Sequence, residues 1–249
     1  MATQSPSPVF RPQVILITGA SRGLGHSIAS SLIASGHRVV LVSRTAAPLE
    51  ALQASHPGQV HYLTGDVQQR HLAKEAVQLA LETWGRLDGL VVNHGQLAPV
   101  ARLVDADIEA WEAAYRVNVF GCLDLIKHAI PALRTSHGRI ILTSSGAART
   151  GYGAWGAYGS SKAALNHIAL TLATEEPLVT AVAVRPGTVD TEMQRELRDE
   201  HLHKLDEAVA TRFRTLKEHG KLLDPAVVGA VVARLVVGVS RDCSGRYLE

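Results

Sequence analysis

The sequence predicts an α/β fold, a doubly wound parallel sheet of about seven strands with helices on both faces. Short apolar runs rich in Val, Ile and Leu recur along the 249 residues and alternate with longer patterns of helical length. The runs are continuous rather than alternating in polarity, which is typical of strands buried on both faces of a parallel sheet. Strands and helices that alternate along a chain build such a sheet. Hydrophobic residues make up 46% of the chain and charged residues 19%, so a sizeable core can form.

The apolar runs define the strands in chain order. The six predicted strands are VILIT (14–18), RVVLVS (38–43), VHYLT (60–64), LDGLVVN (87–93), RIILTSS (139–145) and TAVAVRP (180–186). A last short strand is predicted at RYLE. The stretch LGHSIASSLIASG is predicted to be a helix that ends at Gly36, and two long helices are expected over roughly 107–134 and 156–175.

The absence of a linker, repeat or low-complexity tract predicts one domain over residues 13–249, after a disordered lead over residues 1–12. The formal net charge is +2 and the basic residues are scattered, which argues against a nucleic-acid partner. No apolar run reaches the roughly 18 residues that a membrane span needs, so no membrane partner is expected.

The spacing of the cysteines and histidines bears on the cellular compartment and on whether the chain binds a metal. Cys122 and Cys243 are far apart and form no CxxC, and the start lacks the apolar core of a signal peptide, so a cytoplasmic location is expected. The twelve histidines are dispersed and form no HExxH. The sequence therefore predicts no metal site.

A glycine-rich turn, TGASRGLG, follows the first predicted strand. Gly19 allows a tight turn, Gly23 lets the backbone approach a diphosphate, and Gly25 lets the next helix lie close to the sheet. The helix N-terminus adds free N–H groups and a positive partial charge. Any strand-to-helix turn favours glycine, but three glycines at this spacing predict a dinucleotide site and hence a Rossmann-type domain. The same turn also contains Ser21, Arg22 and Leu24, which are predicted to contact the cofactor.

The end of the second strand bears on which dinucleotide binds. An acidic residue about 20 positions after the glycines would bind the ribose 2′-hydroxyl of NAD, but this chain has Ser43 and Arg44 there. The Arg44 guanidinium can bind a 2′-phosphate, and Arg22 can join it from the glycine turn. The predicted cofactor is NADP(H). The alternative is that Arg44 is a solvated loop residue. NAD-dependent oxidation of an alcohol is a separate possibility, which Arg44 and the missing acid oppose.

The stretch AYGSSKAAL places Tyr158 four positions before Lys162. Residues at this spacing are neighbours on one face of a helix, and most such pairs lie on the protein surface without a catalytic role. The pair gains meaning only together with the other motifs of the chain.

Seven motifs in order resemble those of the short-chain dehydrogenase/reductase family in its single-domain form. The resemblance extends from Val14 to about Leu248. The motifs are TGASRGLG, GDV at 65–67, NHG at 93–95, Asn118 in RVNVFG, SS at 144–145, YGSSK at 158–162, and RPGTVDT at 185–191.

The resemblance implies a catalytic group of four residues: Asn118, Ser145, Tyr158 and Lys162. Lys162 would place a cation near the Tyr158 phenol, lower its pKa from about 10 and let it act as general acid in reduction. Lys162 would also bind the nicotinamide ribose. Ser145 would hydrogen-bond the substrate oxygen, and it is preferred to Ser144 because the family places its serine about thirteen residues before the tyrosine. Asn118 would hold a water that links Lys162 to solvent.

The resemblance also implies the remaining cofactor contacts. Asp66 would bind the adenine amino group beside the Val67 backbone, and the other contacts would come from Asn93, Gly95, Pro186, Gly187, the Val189 backbone and the Thr191 hydroxyl. The chain departs from the family at His94, where a small residue is common. A steric role for His94 is favoured, and titration near neutral pH is the alternative.

A finer resemblance, carried by Trp155 and AVRPGTVDTEM, is to the benzil-reductase and sepiapterin-reductase-like branch. It implies NADPH-dependent reduction of a ketone or diketone to a secondary alcohol. Substrate contacts are expected from Ser145, Tyr152, Trp155 and Tyr158, with residues 190–220 as a mobile cover. A non-catalytic NADP-binding regulator and a ketoacyl-thioester reductase are the alternatives. The family implies a homodimer or homotetramer formed through the two long helices.

Overall fold

The computed structural model describes residues 11–249, so most of the predicted disordered lead lies outside the described residues. Seven strands form within this range: β1 (Val14–Thr18), β2 (Arg38–Ser43), β3 (Val60–Thr64), β4 (Gly89–Val92), β5 (Arg139–Thr143), β6 (Thr180–Val184) and β7 (Tyr247–Leu248). Nine α-helices accompany them there: α1 (Gly23–Ala34), α2 (Ala47–Ser55), α3 (Arg70–Trp84), α4 (Ile108–Tyr115), α5 (Gly121–Ser136), α6 (Gly156–Glu175), α7 (Glu192–Glu196), α8 (Glu207–Glu218) and α9 (Pro225–Gly238).

The seven strands form one parallel sheet in the order β3-β2-β1-β4-β5-β6-β7. The winding direction reverses between β1 and β4, which opens a crevice at the carboxyl ends of these strands. Alternate residues of each strand face opposite layers: α3, α5 and α6 cover one face of the sheet, and α1, α2 and α9 cover the other. The predicted fold class is confirmed.

Three predicted strands are too long at their carboxyl ends. The runs 87–93, 139–145 and 180–186 leave the sheet after Val92, Thr143 and Val184. The residues beyond these points carry polar side chains or, at Pro186, lack the N–H that a ladder needs. They turn out of the sheet and line the crevice instead.

The predicted long helix over 107–134 is interrupted. Helices α4 and α5 are joined by a π turn over Arg116–Phe120, which holds the fully buried Asn118. Single π turns inside helices are frequent at functional sites. No helix in the described part of the chain is both long and apolar enough to cross a membrane.

Candidate active site

A cavity of about 610 Å³ opens at the carboxyl ends of the central strands. It brings together nearly all residues that the sequence singles out, from turns far apart in the chain. Those that line it are Gly19, Ser21, Arg22, Gly23, Leu24, Ser43, Arg44, Asp66, Val67, Asn93, Gly95, Ser145, Tyr152, Trp155, Tyr158, Lys162, Pro186, Gly187, Val189 and Thr191. Gly25 and Asn118 lie behind this lining and support it.

The glycine turn between β1 and α1 has no room for side chains. Gly19 and Gly23 adopt φ values of +65° and +54°, which L side chains rarely adopt. A Cβ at Gly19 would lie 3.1 Å from the His94 Cα, and one at Gly25 would overlap the Gly19 carbonyl oxygen. The first turn of α1 holds no acidic residue, so its positive end is not neutralised locally. This electropositive turn, whose glycines present backbone without side chains, fits the diphosphate of a dinucleotide.

The rim beside β2 carries the two arginines predicted to select the cofactor. Arg22 and Arg44 are exposed and both line the cavity, and neither forms an ion pair within residues 11–249. Between them, the Ser43 hydroxyl donates a hydrogen bond to the Ser21 hydroxyl at 2.7 Å. The charges at this rim are therefore available to an anionic ligand.

Tyr158 and Lys162 lie in the first turns of α6, and both are buried. The Ser145 side chain lies beside the Tyr158 hydroxyl and influences its pKa. The Lys162 Nζ lies 5.8 Å from the centre of the Tyr158 ring and donates to the Thr143 carbonyl at 2.8 Å. Helix α6 can approach the Ser145 loop this closely because Gly159 has no side chain; a Cβ there would lie 2.8 Å from the Ala147 carbonyl oxygen.

The protonation states of this pair differ from the sequence-based expectation. Burial raises the pKa of Tyr158 above its ordinary value, and the nearby Ser145 side chain opposes that rise only in part. Burial lowers the pKa of Lys162. The ammonium group faces the Thr143 carbonyl, and its effect on the phenol is smaller than the desolvation of Tyr158. Tyr158 is therefore a protonated phenol at neutral pH.

The structure separates the two neighbouring serines. The Ser144 hydroxyl is buried and donates to the Asn166 side-chain oxygen at 2.6 Å. Ser145 is partly exposed, and its Oγ accepts a hydrogen bond from the Ala147 N–H at 3.2 Å beside the Tyr158 hydroxyl. These contacts favour Ser145 as the donor to a substrate oxygen.

We expect Ser145→Ala to lower kcat by about a hundredfold or more, the usual loss for one donor to a developing oxyanion. Ser144→Ala should lower the melting temperature through the lost bond to Asn166 and leave kcat close to the wild-type value. Steady-state rates and thermal melts of the two variants check this. A larger kcat loss for Ser144→Ala would reverse the assignment.

The Asn118 side chain holds the neighbouring segment of the chain in place beside the cavity through its hydrogen bonds. Its side-chain oxygen accepts from the Gln96 N–H at 2.9 Å, and its side-chain nitrogen donates to the Gln96 carbonyl at 2.9 Å and to the Ser161 hydroxyl at 3.1 Å. Both polar atoms of the side chain are thus already bonded. These bonds give Asn118 a positioning role, and the water relay to Lys162 that the resemblance implies stays a prediction.

His94 is a buried link between β4 and the π turn. Its Nδ1 lies 2.7 Å from the Thr18 hydroxyl and its Nε2 lies 3.1 Å from the Val117 carbonyl, with the Cys122 Sγ at 3.4 Å. Burial, followed by the Lys162 charge, lowers the pKa of His94 to about 4. The ring is therefore neutral at physiological pH, which supports the structural role over titration.

Several contacts at the site were not predicted from the sequence. The Tyr247 hydroxyl donates to the Ser145 carbonyl at 3.1 Å, so the last strand packs against the catalytic loop. Phe213 of α8 packs against Trp155 with ring centres 5.5 Å apart and the ring planes tilted by 37°. The RYLE strand and the cover segment were both predicted, but no local pattern shows which of their residues reach the site.

The described residues contain no group of three or more His, Cys, Asp or Glu side chains that could hold a metal ion. The polar groups deep in the cavity are the Tyr158 phenol, the Lys162 amine and the Ser145 hydroxyl, and the glycine turn lines the same cavity. A family model described as short chain dehydrogenase matches residues 13–202. The chain belongs to the short-chain dehydrogenase/reductase family. It is an oxidoreductase of this family, whose members use NAD(H) or NADP(H), and the resemblance found in the sequence is confirmed.

Relatives of this short-chain dehydrogenase/reductase with high similarity include proteins from Saccharomyces cerevisiae. A protein described as an uncharacterized oxidoreductase is 40% identical over 241 residues, and its crystal structure superposes with a TM-score of 0.92, with 95% of each chain covered. A benzil reductase that forms (S)-benzoin is 38% identical over 250 residues, with 95% of each chain covered. A crystal structure of a cytoplasmic protein with unknown function has a TM-score of 0.80 and 38% identity, and 95% of each chain is covered.

Proposed function

We propose that this enzyme reduces a ketone or a 1,2-diketone to a secondary alcohol with NADPH. The observation that carries the proposal is that the buried Tyr158 and Lys162 lie with the partly exposed Ser145 in the same cavity as the glycine turn. The similarity to a benzil reductase supports a diketone as the substrate class.

Each catalytic residue has one task in this proposal. When bound, NADPH supplies the hydride that the carbonyl carbon receives. The Tyr158 hydroxyl gives its proton to the carbonyl oxygen, and the Ser145 hydroxyl donates a hydrogen bond to the same oxygen. The Lys162 ammonium stabilises the phenolate that remains. Asn118 fixes the segment at Gln96 that borders this group.

The proposed substrate wall is a series of aromatic rings. Tyr152 and Trp155 have ring centres 5.2 Å apart, and Trp155 and Tyr158 have centres 6.0 Å apart, both in edge contact. Phe213 closes the wall from helix α8. Helices α7 and α8 lie within the segment predicted as a cover, and they supply lining residues to the cavity. Such a wall suits an aryl group next to the reacting carbonyl.

Purified protein is expected to oxidise NADPH in the presence of benzil and to form benzoin, because the aromatic wall and the buried phenol match that ketone. Absorbance at the reduced-nicotinamide band follows the reaction, and chiral chromatography identifies the product. Folded protein that binds NADPH but turns over neither benzil nor a panel of quinones and pterin ketones would instead be the non-catalytic regulator.

We also propose a homodimer or homotetramer in the cytoplasm. Apolar side chains at Ile108, Phe120 and Leu170 are 66%, 56% and 53% exposed on α4, the π turn and α6, which supports association of copies through the two long helices. The yeast structure described as a cytoplasmic protein supports the location.

A further inference from the structure

The aromatic wall ends at a guanidinium group. Arg212 lies on α8 and donates a hydrogen bond to the Tyr152 hydroxyl at 3.2 Å. Both side chains line the cavity. The rings of Tyr158, Trp155 and Tyr152 follow one another from the proton donor toward this arginine. A substrate that lies along the wall with its carbonyl at Tyr158 therefore directs its far end toward Arg212.

Arg212 differs from the other charged residues in this half of the cavity. Arg185 forms an ion pair with Glu249 at 2.9 Å, and Glu192 forms one with Arg195. Glu196 lies 3.7 Å from the His201 ring. Arg212 forms no ion pair among the described residues; its guanidinium donates to the Tyr152 hydroxyl and lies 5.9 Å from the centre of the Phe213 ring. Its positive charge is thus left for a ligand.

We propose that Arg212 binds a carboxylate at the end of the substrate remote from the reacting carbonyl. This inference rests on the proposed ketone reduction and narrows its substrate class to aryl ketones and diketones that carry an acid group across the ring. A guanidinium binds a carboxylate through two charge-assisted hydrogen bonds, which are stronger than hydrogen bonds between neutral groups.

The test compares benzil with 4-carboxybenzil, which adds one carboxylate to the same skeleton. The quantity is the ratio of kcat/KM for the acid to kcat/KM for benzil, measured with NADPH. The wild type should favour the acid. Arg212→Leu should lower this ratio by about tenfold to a hundredfold, mainly through KM, since hydrogen bonds to charged groups are worth that much. Arg212→Lys keeps a positive charge but loses the planar fork, so it should give an intermediate ratio.

Arg214→Leu is the matched control. Arg214 is two residues along the same helix, pairs with Glu207 at 3.2 Å and lies outside the cavity lining, so its loss should leave the ratio unchanged. The products give a second readout. An anchored carboxylate presents one of the two carbonyls to Tyr158, so the wild type should form one hydroxyketone isomer in excess. Arg212→Leu should bring the two isomers closer to equal amounts.

The outcomes separate the two proposals. If the wild type reduces benzil but does not favour the acid, or if Arg212→Leu and Arg214→Leu change the ratio equally, the role of Arg212 is wrong while ketone reduction stands. If the folded wild type reduces neither diketone, the proposed function fails and the assignment of Arg212 fails with it. Thermal melts of all variants show which of them are folded.

Discussion

Tyr158→Phe is expected to abolish nearly all ketone reduction, with kcat lowered by several orders of magnitude. The variant keeps the buried ring but loses the hydroxyl that lies beside the Ser145 side chain. A positioned general acid typically contributes about 10²–10⁴ in rate. The Ser145 hydroxyl alone would then face the developing alkoxide, with no proton to give it. The fold and NADPH binding should be retained, because the ring still packs against Trp155.

Tyr115→Phe is the matched control for this variant. The Tyr115 hydroxyl donates to the Ser160 hydroxyl of α6 at 2.8 Å, yet Tyr115 lies outside the cavity lining. Its loss should leave kcat close to the wild-type value, because this hydroxyl contacts neither the cavity nor the catalytic residues. Because burial raises the pKa of Tyr158, wild-type reduction should continue unchanged through neutral pH and decline only at alkaline pH, as the phenol loses its proton. Near-normal turnover by folded Tyr158→Phe would remove Tyr158 from the mechanism.

The sheet could be predicted because each strand is a local pattern. The runs that form β1, β2 and β3 match the predicted strands residue for residue, since both ends of each run meet turn or helix residues. The overlong strands have a physical cause. Asn93, Ser144 and Ser145 follow their runs directly, and nothing in the local pattern shows that their side chains line a cavity instead of a sheet face.

The glycine turn and the Tyr158–Lys162 pair could also be predicted, because spacing alone fixes which backbone positions lack side chains and which residues share a helix face. The π turn could not be predicted from the sequence. It depends on the contact of Asn118 with Gln96, which is 22 residues away in the chain. The protonation state of Tyr158 likewise depends on burial by residues from several elements. Contacts such as Tyr247 with Ser145, 102 residues apart, leave no local signature.

Cofactor choice should depend on the charge at the end of β2. Arg44 and Arg22 are exposed on the cavity rim without ion pairs in the described chain, so both can bind the 2′-phosphate of NADPH. Each charge-assisted contact is worth about 1.5–3 kcal/mol, so the two together are expected to favour NADPH over NADH by roughly a hundredfold or more. Arg44→Ala should lower this preference by about tenfold or more. Ser43→Asp should reverse it, because the new carboxylate would accept the ribose 2′-hydroxyl of NADH and repel the phosphate of NADPH.

The measurement is kcat/KM for both cofactors with one diketone at saturation, in the wild type and in each variant. Arg234→Ala is the control for the loss of one positive charge, since Arg234 is exposed on α9 and lies outside the cavity lining. It should leave the cofactor ratio unchanged, whereas a purely long-range effect of net charge would move it as much as Arg44→Ala does. The preference should also shrink at high ionic strength, because salt screens exposed charges. A wild type that prefers NADH, or an Arg44→Ala variant with an unchanged ratio, would show that Arg44 is a solvated loop residue. The glycine turn at Gly19 and Gly23 would then bind NAD(H) instead, because it recognises a diphosphate that both cofactors share.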